Sequence, residues 1–269
     1  MSATFVHPVA SIPFTRYGLV LSALIIGSIS PDLPYFLPLS EHEQFGHTLV
    51  GLFLFCIPAG MAALWIFHYL LKYPLFSLFP YSHQQRMSLF IHNFPSWSGK
   101  SLGLNVISLF VGAWTHIVWD SCTHWYGWTV QRVPLLQLTI FETSQGTLKL
   151  YKVLQHGGTV VGTLLLIYWY IKWLKNASVD QVPLIFHLSN STKLFIVLSI
   201  VFLACIAGPV YGYYKFLVID DIESFSYFVV FTMRASISSI LLEIFVFSTG
   251  WHIIRAKEEY ETMYENYRN

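Results

Sequence analysis

Three side chains in the stretch WTHIVWDSCTHW, residues 114–125, are of types that do chemistry together. His116, Asp120 and His124 are spaced four apart, and four helical residues advance about 400°, so the three project from one stripe of a helix. Two imidazoles and a carboxylate on one stripe make a metal-ligating set. The segment Leu102 to Val118 is almost wholly apolar. Polar groups in such a segment are usually paired, ligated or turned to a cavity, because burying them uncompensated is costly. The structural alternative for His116 and Asp120 is a buried helical hydrogen bond.

Four further candidates stand at the edges of other apolar runs. His7 precedes Pro8 near the start of the chain, and Asp32 sits between Pro31 and Pro34 in SISPDLPYF. The prolines stiffen that backbone and aim the carboxylate, although Asp also caps turns. His47 stands just before the apolar run from Thr48 to Leu71, and His156 lies in the first turn of QHGGTVVGTLLLIYWYIKWLK. His42, flanked by Glu41 and Glu43, reads as solvated, and His83 and His92 belong to a mixed loop from Lys72 to Lys100 with a short amphipathic piece at 85–92.

The elements that must position these residues are membrane helices. Of the 269 residues 55% are hydrophobic and only 11% charged, against about 25% charged in a soluble domain. Five runs are long enough to span: Thr48–Leu71, about Ser101–Asp120, the run that opens at Gln155, about Lys193–Tyr214 and about Tyr227–Ile254. Leu19–Ile29 is too short and is broken by Gly27, Pro31, Pro34 and Pro38, which makes it a buried or re-entrant helix. The expected fold is therefore all-α: a polytopic membrane helical bundle of about five spans plus that N-terminal helix. Residues 1–175 would form the metal-site core, and 176–269 two C-terminal spans with a polar tail. The three cysteines, Cys56, Cys122 and Cys205, lack a C-x-x-C spacing and read as small core residues. A formal net charge of +1 gives no basic stripe for nucleic acid.

With the loop from Lys72 to Lys100 inside, nine Lys and Arg fall on the cytoplasmic side and five outside. That orientation brings His47, the His116–His124 stripe and His156 to one face of the membrane, with His7 and Asp32 preceding His47 on that side. The expected localisation is the bacterial inner (cytoplasmic) membrane, with the metal site on the extracytoplasmic face. Ligands of His and carboxylate without thiolate suit zinc, other divalent metals being compatible, and seven candidates exceed the needs of one tetrahedral ion. A multinuclear hydrolytic site follows.

The motifs FVHPVASIPF, GSISPDLPYF, FGHTLVG and THIVWDSCTH, in that order, resemble an uncharacterised bacterial family of integral membrane proteins described only as a domain of unknown function, DUF4184. The order of ligands is also similar to that of the zinc-dependent phospholipase C and P1 nuclease superfamily, whose helical core the fold would resemble. That likeness implies His7, Asp32 and His47 as successive ligands, Asp32 also as general base, Asp120 as the bridging carboxylate beside His116, and His124 and His156 as ligands of a further ion. Soluble members carry a Glu four residues after the last His, where this chain has Val160. The resemblance therefore implies two zinc ions, with Glu142 or a water completing any third.

The expected function is a membrane-embedded metal-dependent hydrolase of a phosphoester or lipid-like substrate, such as a phospholipid or polyprenyl phosphate, using metal-activated water, with Asp32 and Asp120 as its catalytic carboxylates. The alternative is a non-enzymatic metal-binding scaffold or a divalent-cation carrier. A carrier would place its ligands near the bilayer midplane, often at broken helices or repeats.

Overall fold

A computed structural model describes residues 4–36, 44–91, 98–143, 146–218 and 225–268. His42 and His92 lie outside the described residues. Seven longer helices carry the fold: α1 (Leu21–Ile29), α2 (Leu49–Leu78), α3 (Tyr81–Ile91), α4 (Gly99–Thr123), α5 (Leu150–Asn176), α6 (Asn190–Val218) and α7 (Phe225–Arg268). Among the described residues five, α2 and α4 to α7, are long and apolar enough to cross a membrane, by length and composition. The chain divides into two compact units, one of Met1–Pro34, Leu39–Leu64 and Pro95–Asn176, the other of Tyr35–Pro38, Trp65–Phe94 and Ala177–Asn269.

The first unit is built on the crossing of α1 and α4. Lipid tails are as apolar as leucine, so membrane helices gain from close packing more than from burial, and small residues at the crossing permit it. A Cβ on Gly27 would strike the Leu109 carbonyl, and one on Gly112 the Leu24 carbonyl. Ala23, Leu64 and Leu109 form the buried layer beside the crossing. Ser108 ties the start of α1 to α4 by accepting the Val20 N–H at 2.9 Å. Ahead of α1, Pro8–Ser11 forms one helical turn and Ile12–Tyr17 a 3-10 turn that ends on Gly18 at φ 84°, a left-handed conformation suited to glycine.

Helix α2 opens with Thr48 in an extended conformation, its hydroxyl accepting the Gly51 N–H at 2.9 Å. It carries two π-turns, at Leu52–Cys56 and Phe67–Leu71. Leu52 and Cys56 pack with Ala113 of α4.

In the second unit Phe76, Ile91, Val182, Phe186 and Trp251 make the core. The buried Gln84 amide donates to the carbonyls of Phe76 and Ser77 at 2.9 and 3.1 Å. Helices α6 and α7 pack through Gly208 and Gly212, whose missing side chains leave room for the Ser236 and Thr232 hydroxyls. Pro209 lies inside α6, which continues through it. The two charged residues inside the last span find separate partners. Arg234 lies 4.8 Å from the ring centre of Tyr35, and Glu243 accepts a 2.6 Å hydrogen bond from Ser239.

The all-α expectation needs one correction. The polar stretch between α4 and α5 holds a short helix, Trp128–Arg132, and an antiparallel hairpin, β1 (Thr139–Thr143) with β2 (Gly146–Lys149). TIFET is rich in β-branched and aromatic residues, which favours a strand, but five residues are too few to reveal a period. The cysteines also differ from one another: Cys56 is buried, Cys122 intermediate and Cys205 exposed.

Candidate metal centre

His116 and Asp120 come from the last turns of α4, and both are buried, at 0% and 7% exposure. His124 follows immediately as the residue that ends α4, in an extended conformation. It therefore leaves the helical stripe, yet its Nδ1 remains 3.5 Å from Asp120 Oδ1.

Asp32 reaches the same place from the end of α1. Pro31 has no N–H to give the Gly27 carbonyl, which accepts instead from the Ser30 N–H and from the Ser30 hydroxyl at 2.7 Å. The chain tightens into the 3-10 turn Ser30–Asp32. The Ser28 carbonyl lies 2.7 Å from His116 Nδ1. A carbonyl only accepts, so Nδ1 donates this bond and Nε2 is the His116 atom turned to the cluster. Asp32 Oδ2 accepts from the Thr4 hydroxyl at 2.5 Å. Its other oxygen, Oδ1, faces the histidines.

His47 closes the 3-10 turn Phe45–His47. Gly46 brings that turn against Pro31, where a Cβ would lie 2.5 Å from the Pro31 carbonyl oxygen. The Cys56 thiol donates to the Gly46 carbonyl at 3.3 Å, joining the turn to α2.

Asp32, His47, His116 and Asp120 each offer one ligand atom, all within 4.8 Å of one another, and this group could hold a metal ion. His47 Nε2 lies 3.2 Å from His116 Nε2. It lies 3.3 Å from Asp32 Oδ1 and 3.5 Å from Asp120 Oδ2. His116 Nε2 lies 3.6 and 3.3 Å from the same two oxygens. The carboxylate distances exceed those of good N–H···O hydrogen bonds, about 2.7–3.2 Å. They match the edges of a tetrahedron whose bonds are about 2.0–2.1 Å, roughly 3.3–3.4 Å. Two imidazoles and two carboxylates without a thiolate are donors that suit a metal ion.

A second group faces the other oxygen of Asp120. His7 Nε2 lies 3.6 Å from Asp120 Oδ1, the atom that His124 also approaches. The His7 ring stacks on His116 with centroids 3.7 Å apart. Gln155, buried on α5, places its amide nitrogen 2.9 Å from His124 Nε2.

Six of the seven sequence candidates thus meet, and His156 does not. It is exposed, while its neighbour Gln155 is buried against His124. Successive helical residues differ by about 100°, so both cannot point inward. Glu142 is exposed on β1, opposite Thr147. Thr4, Ser28 and Gln155 are the supporting residues that spacing alone did not reveal. For Gln155 the available signal was an amide one position before a candidate histidine.

The electrostatics favour a held charge. Burial works against protonation of His47, but Asp120 and Asp32 overcome it and hold the imidazole up to about 9. Burial alone would raise Asp32, yet the neighbouring His47 and His116 and the Thr4 hydroxyl keep it below the usual carboxylate range. His7 is pushed down to about 4 by burial and by the adjacent His116. Burial likewise lowers His124. A metal ligand must be deprotonated, so an ion loading at neutral pH displaces the His47 proton. Apparent affinity should rise about tenfold per pH unit between roughly pH 6 and 8 and level off above about 9. Calorimetry in buffers of differing ionisation heat should find about one proton released. A pH-independent affinity would exclude His47 as a ligand.

Fold and cluster together define a mostly α-helical protein, with five helices long and apolar enough to cross a membrane among its described residues, whose buried His and Asp side chains could hold a metal ion. The chain belongs to the family described as Domain of unknown function (DUF4184), whose model matches residues 1–253. No curated protein and no solved structure matches it.

Proposed function

We propose that the chain is a membrane-embedded, metal-dependent hydrolase of phosphoester or lipid-like substrates, with zinc as its resident metal and the centre on the extracytoplasmic face. The observation that carries this reading is the placing of Asp120 between two donor groups. Its Oδ2 faces His47 and His116, and its Oδ1 faces His7 and His124. A carboxylate with donors on both of its oxygens could serve two ions, which when bound would lower the pKa of water and neutralise charge on a phosphoester. In this reading Asp32, His47 and His116 would hold one ion, and His7 and His124 the other. Asp32 serves as a ligand through Oδ1, with Thr4 restraining its rotation through Oδ2. The likeness to the zinc phospholipase C and P1 nuclease superfamily rests on the order of these residues along the chain.

The side of the membrane is argued from the bias of Lys and Arg. The position of the cluster, where α2 begins and α4 ends, favours an enzyme over a carrier with midplane ligands.

Detergent-purified protein loaded with zinc should cleave bis(p-nitrophenyl) phosphate or a phospholipid. A His116→Ala variant that stays monodisperse should lose at least about a hundredfold in rate, since even the hydrogen-bond partners of metal ligands are worth about 10- to 100-fold. Metal-replete protein that hydrolyses none of a panel of phosphodiesters and phospholipids, yet moves zinc across proteoliposomes, would make it a carrier.

A further inference from the structure

A cavity of about 170 Å³ lies between the N-terminal turn and α5, lined by Val6, Ala10, Trp119, Gly158, Leu165 and His7 among others. Its walls are hydrocarbon apart from His7 and Thr159, and the Thr159 hydroxyl already donates to the Gln155 carbonyl at 3.0 Å. Small residues shape it. A Cβ on Gly158 would run into the Trp119 ring, and one on Gly162 into Val6. From Gly158 to Leu165 the lining follows α5 for about 10 Å, at 1.5 Å per residue.

Two observations identify an occupant. The flank of α5 beside the cavity is open: Val160, Val161 and Leu164 are 59%, 57% and 60% exposed, on a helix apolar and long enough to span a membrane. In a bilayer that flank meets acyl chains, so the cavity is reached sideways from the lipid. His7 also lines it, and its ring stacks on His116 while its Nε2 lies 3.6 Å from Asp120. One side chain therefore belongs to both the apolar cavity and the candidate metal centre, and an occupant should be apolar along its length and anionic at the end nearest His7.

We infer that this cavity seats one acyl chain of a glycerophospholipid whose phosphate faces the His and Asp cluster, an inference that rests on the hydrolase reading for what happens to that phosphate. Size decides how much is held. A cavity of about 150 Å³ accommodates benzene, so this one takes about six carbons of a single unbranched chain. It is too small for a helix of a partner protein, and the second chain of the lipid stays in the bilayer.

The test uses the full chain in nanodiscs containing phosphatidylglycerol with a diazirine at mid-chain, with zinc present. After irradiation, label should concentrate on peptides carrying residues 6–10 and 158–165. It should fall at least fivefold in Val161→Trp and in Ala10→Phe, which fill the cavity from its two sides, while the metal content of both stays at the wild-type level. Label spread evenly over all spans, or undiminished in both metal-replete variants, would overturn the inference. So would displacement of the label by a polyprenyl phosphate but not by unlabelled phosphatidylglycerol. Labelling that behaves as expected in a protein that hydrolyses nothing would remove the hydrolase reading and leave the lipid site. Hydrolysis of soluble phosphodiesters without cavity labelling would do the reverse.

Discussion

Replacing Asp120 by Ala should lower zinc affinity by at least about a thousandfold, the largest effect expected of any single side chain here. Both carboxylate oxygens are engaged, Oδ2 within 3.3–3.5 Å of His116 and His47 and Oδ1 within 3.5–3.6 Å of His124 and His7. Its loss takes a ligand from both groups at once. It also removes one of the two carboxylates that hold His47 protonated up to about 9, leaving Asp32 at 3.3 Å. A competition titration with a chromophoric zinc chelator measures the loss, and Asp120→Asn repeats the test with the volume preserved. Gln155→Leu, which removes only the support of His124, should cost about 10- to 100-fold, the usual range for outer-shell partners. His156→Ala should stay within about twofold, since that side chain is exposed. Equal losses at 155 and 156 would mean that α5 is rotated relative to the arrangement described.

Gly112→Val should destroy the centre without touching a candidate ligand. The new Cβ would meet the Leu24 carbonyl oxygen, and the Ser28 backbone nitrogen at 2.7 Å. Backbone atoms cannot rotate out of the way, so α1 must move off α4. Overpacking costs about 1–3 kcal/mol where side chains can yield, and more is expected against backbone. That movement breaks the 2.7 Å contact of His116 Nδ1 with the Ser28 carbonyl and carries Asp32 away with the end of α1. Thermal unfolding in detergent should drop by several degrees, and zinc retention should fall with it. Gly103 lies on the same helix, and among the described residues nothing comes within 4 Å of where its Cβ would stand. Gly103→Ala should therefore be neutral or slightly stabilising. If both substitutions behave alike, the close crossing of α1 and α4 is not what positions the cluster.

The parts of this arrangement that could be read from the sequence are those set by composition and by position along an apolar run. The spans announce themselves by length. Histidines and aspartates at the boundaries of those runs, such as His47 before α2 and Asp120 near the end of α4, are placed at a common end by the alternation of helix direction alone. Residues defined by rotation are harder. Gln155 and His156 differ by one position, and only the packing of α5 decides which turns inward, because that helix is apolar nearly all round and offers no polar face to orient it. Thr4 and Ser28 act through a hydroxyl and a backbone carbonyl whose partners are 28 and 88 residues away. No local pattern encodes such contacts. The hairpin Thr139–Lys149 is too short for periodicity, and the π-turns of α2 leave its apolar pattern unchanged.

The most direct test of the metal centre is elemental analysis joined to X-ray absorption at the zinc edge, on protein purified without chelators. The arrangement of Asp32, His47, His116 and Asp120, with His7 and His124 on the far oxygen of Asp120, predicts close to two zinc ions per chain. It also predicts a first shell of nitrogen and oxygen at about 2.0–2.1 Å with imidazole scattering beyond it. Folded protein that binds no zinc or other divalent metal after supplementation would contradict it. So would a shell containing sulfur at about 2.3 Å, since no cysteine belongs to the cluster.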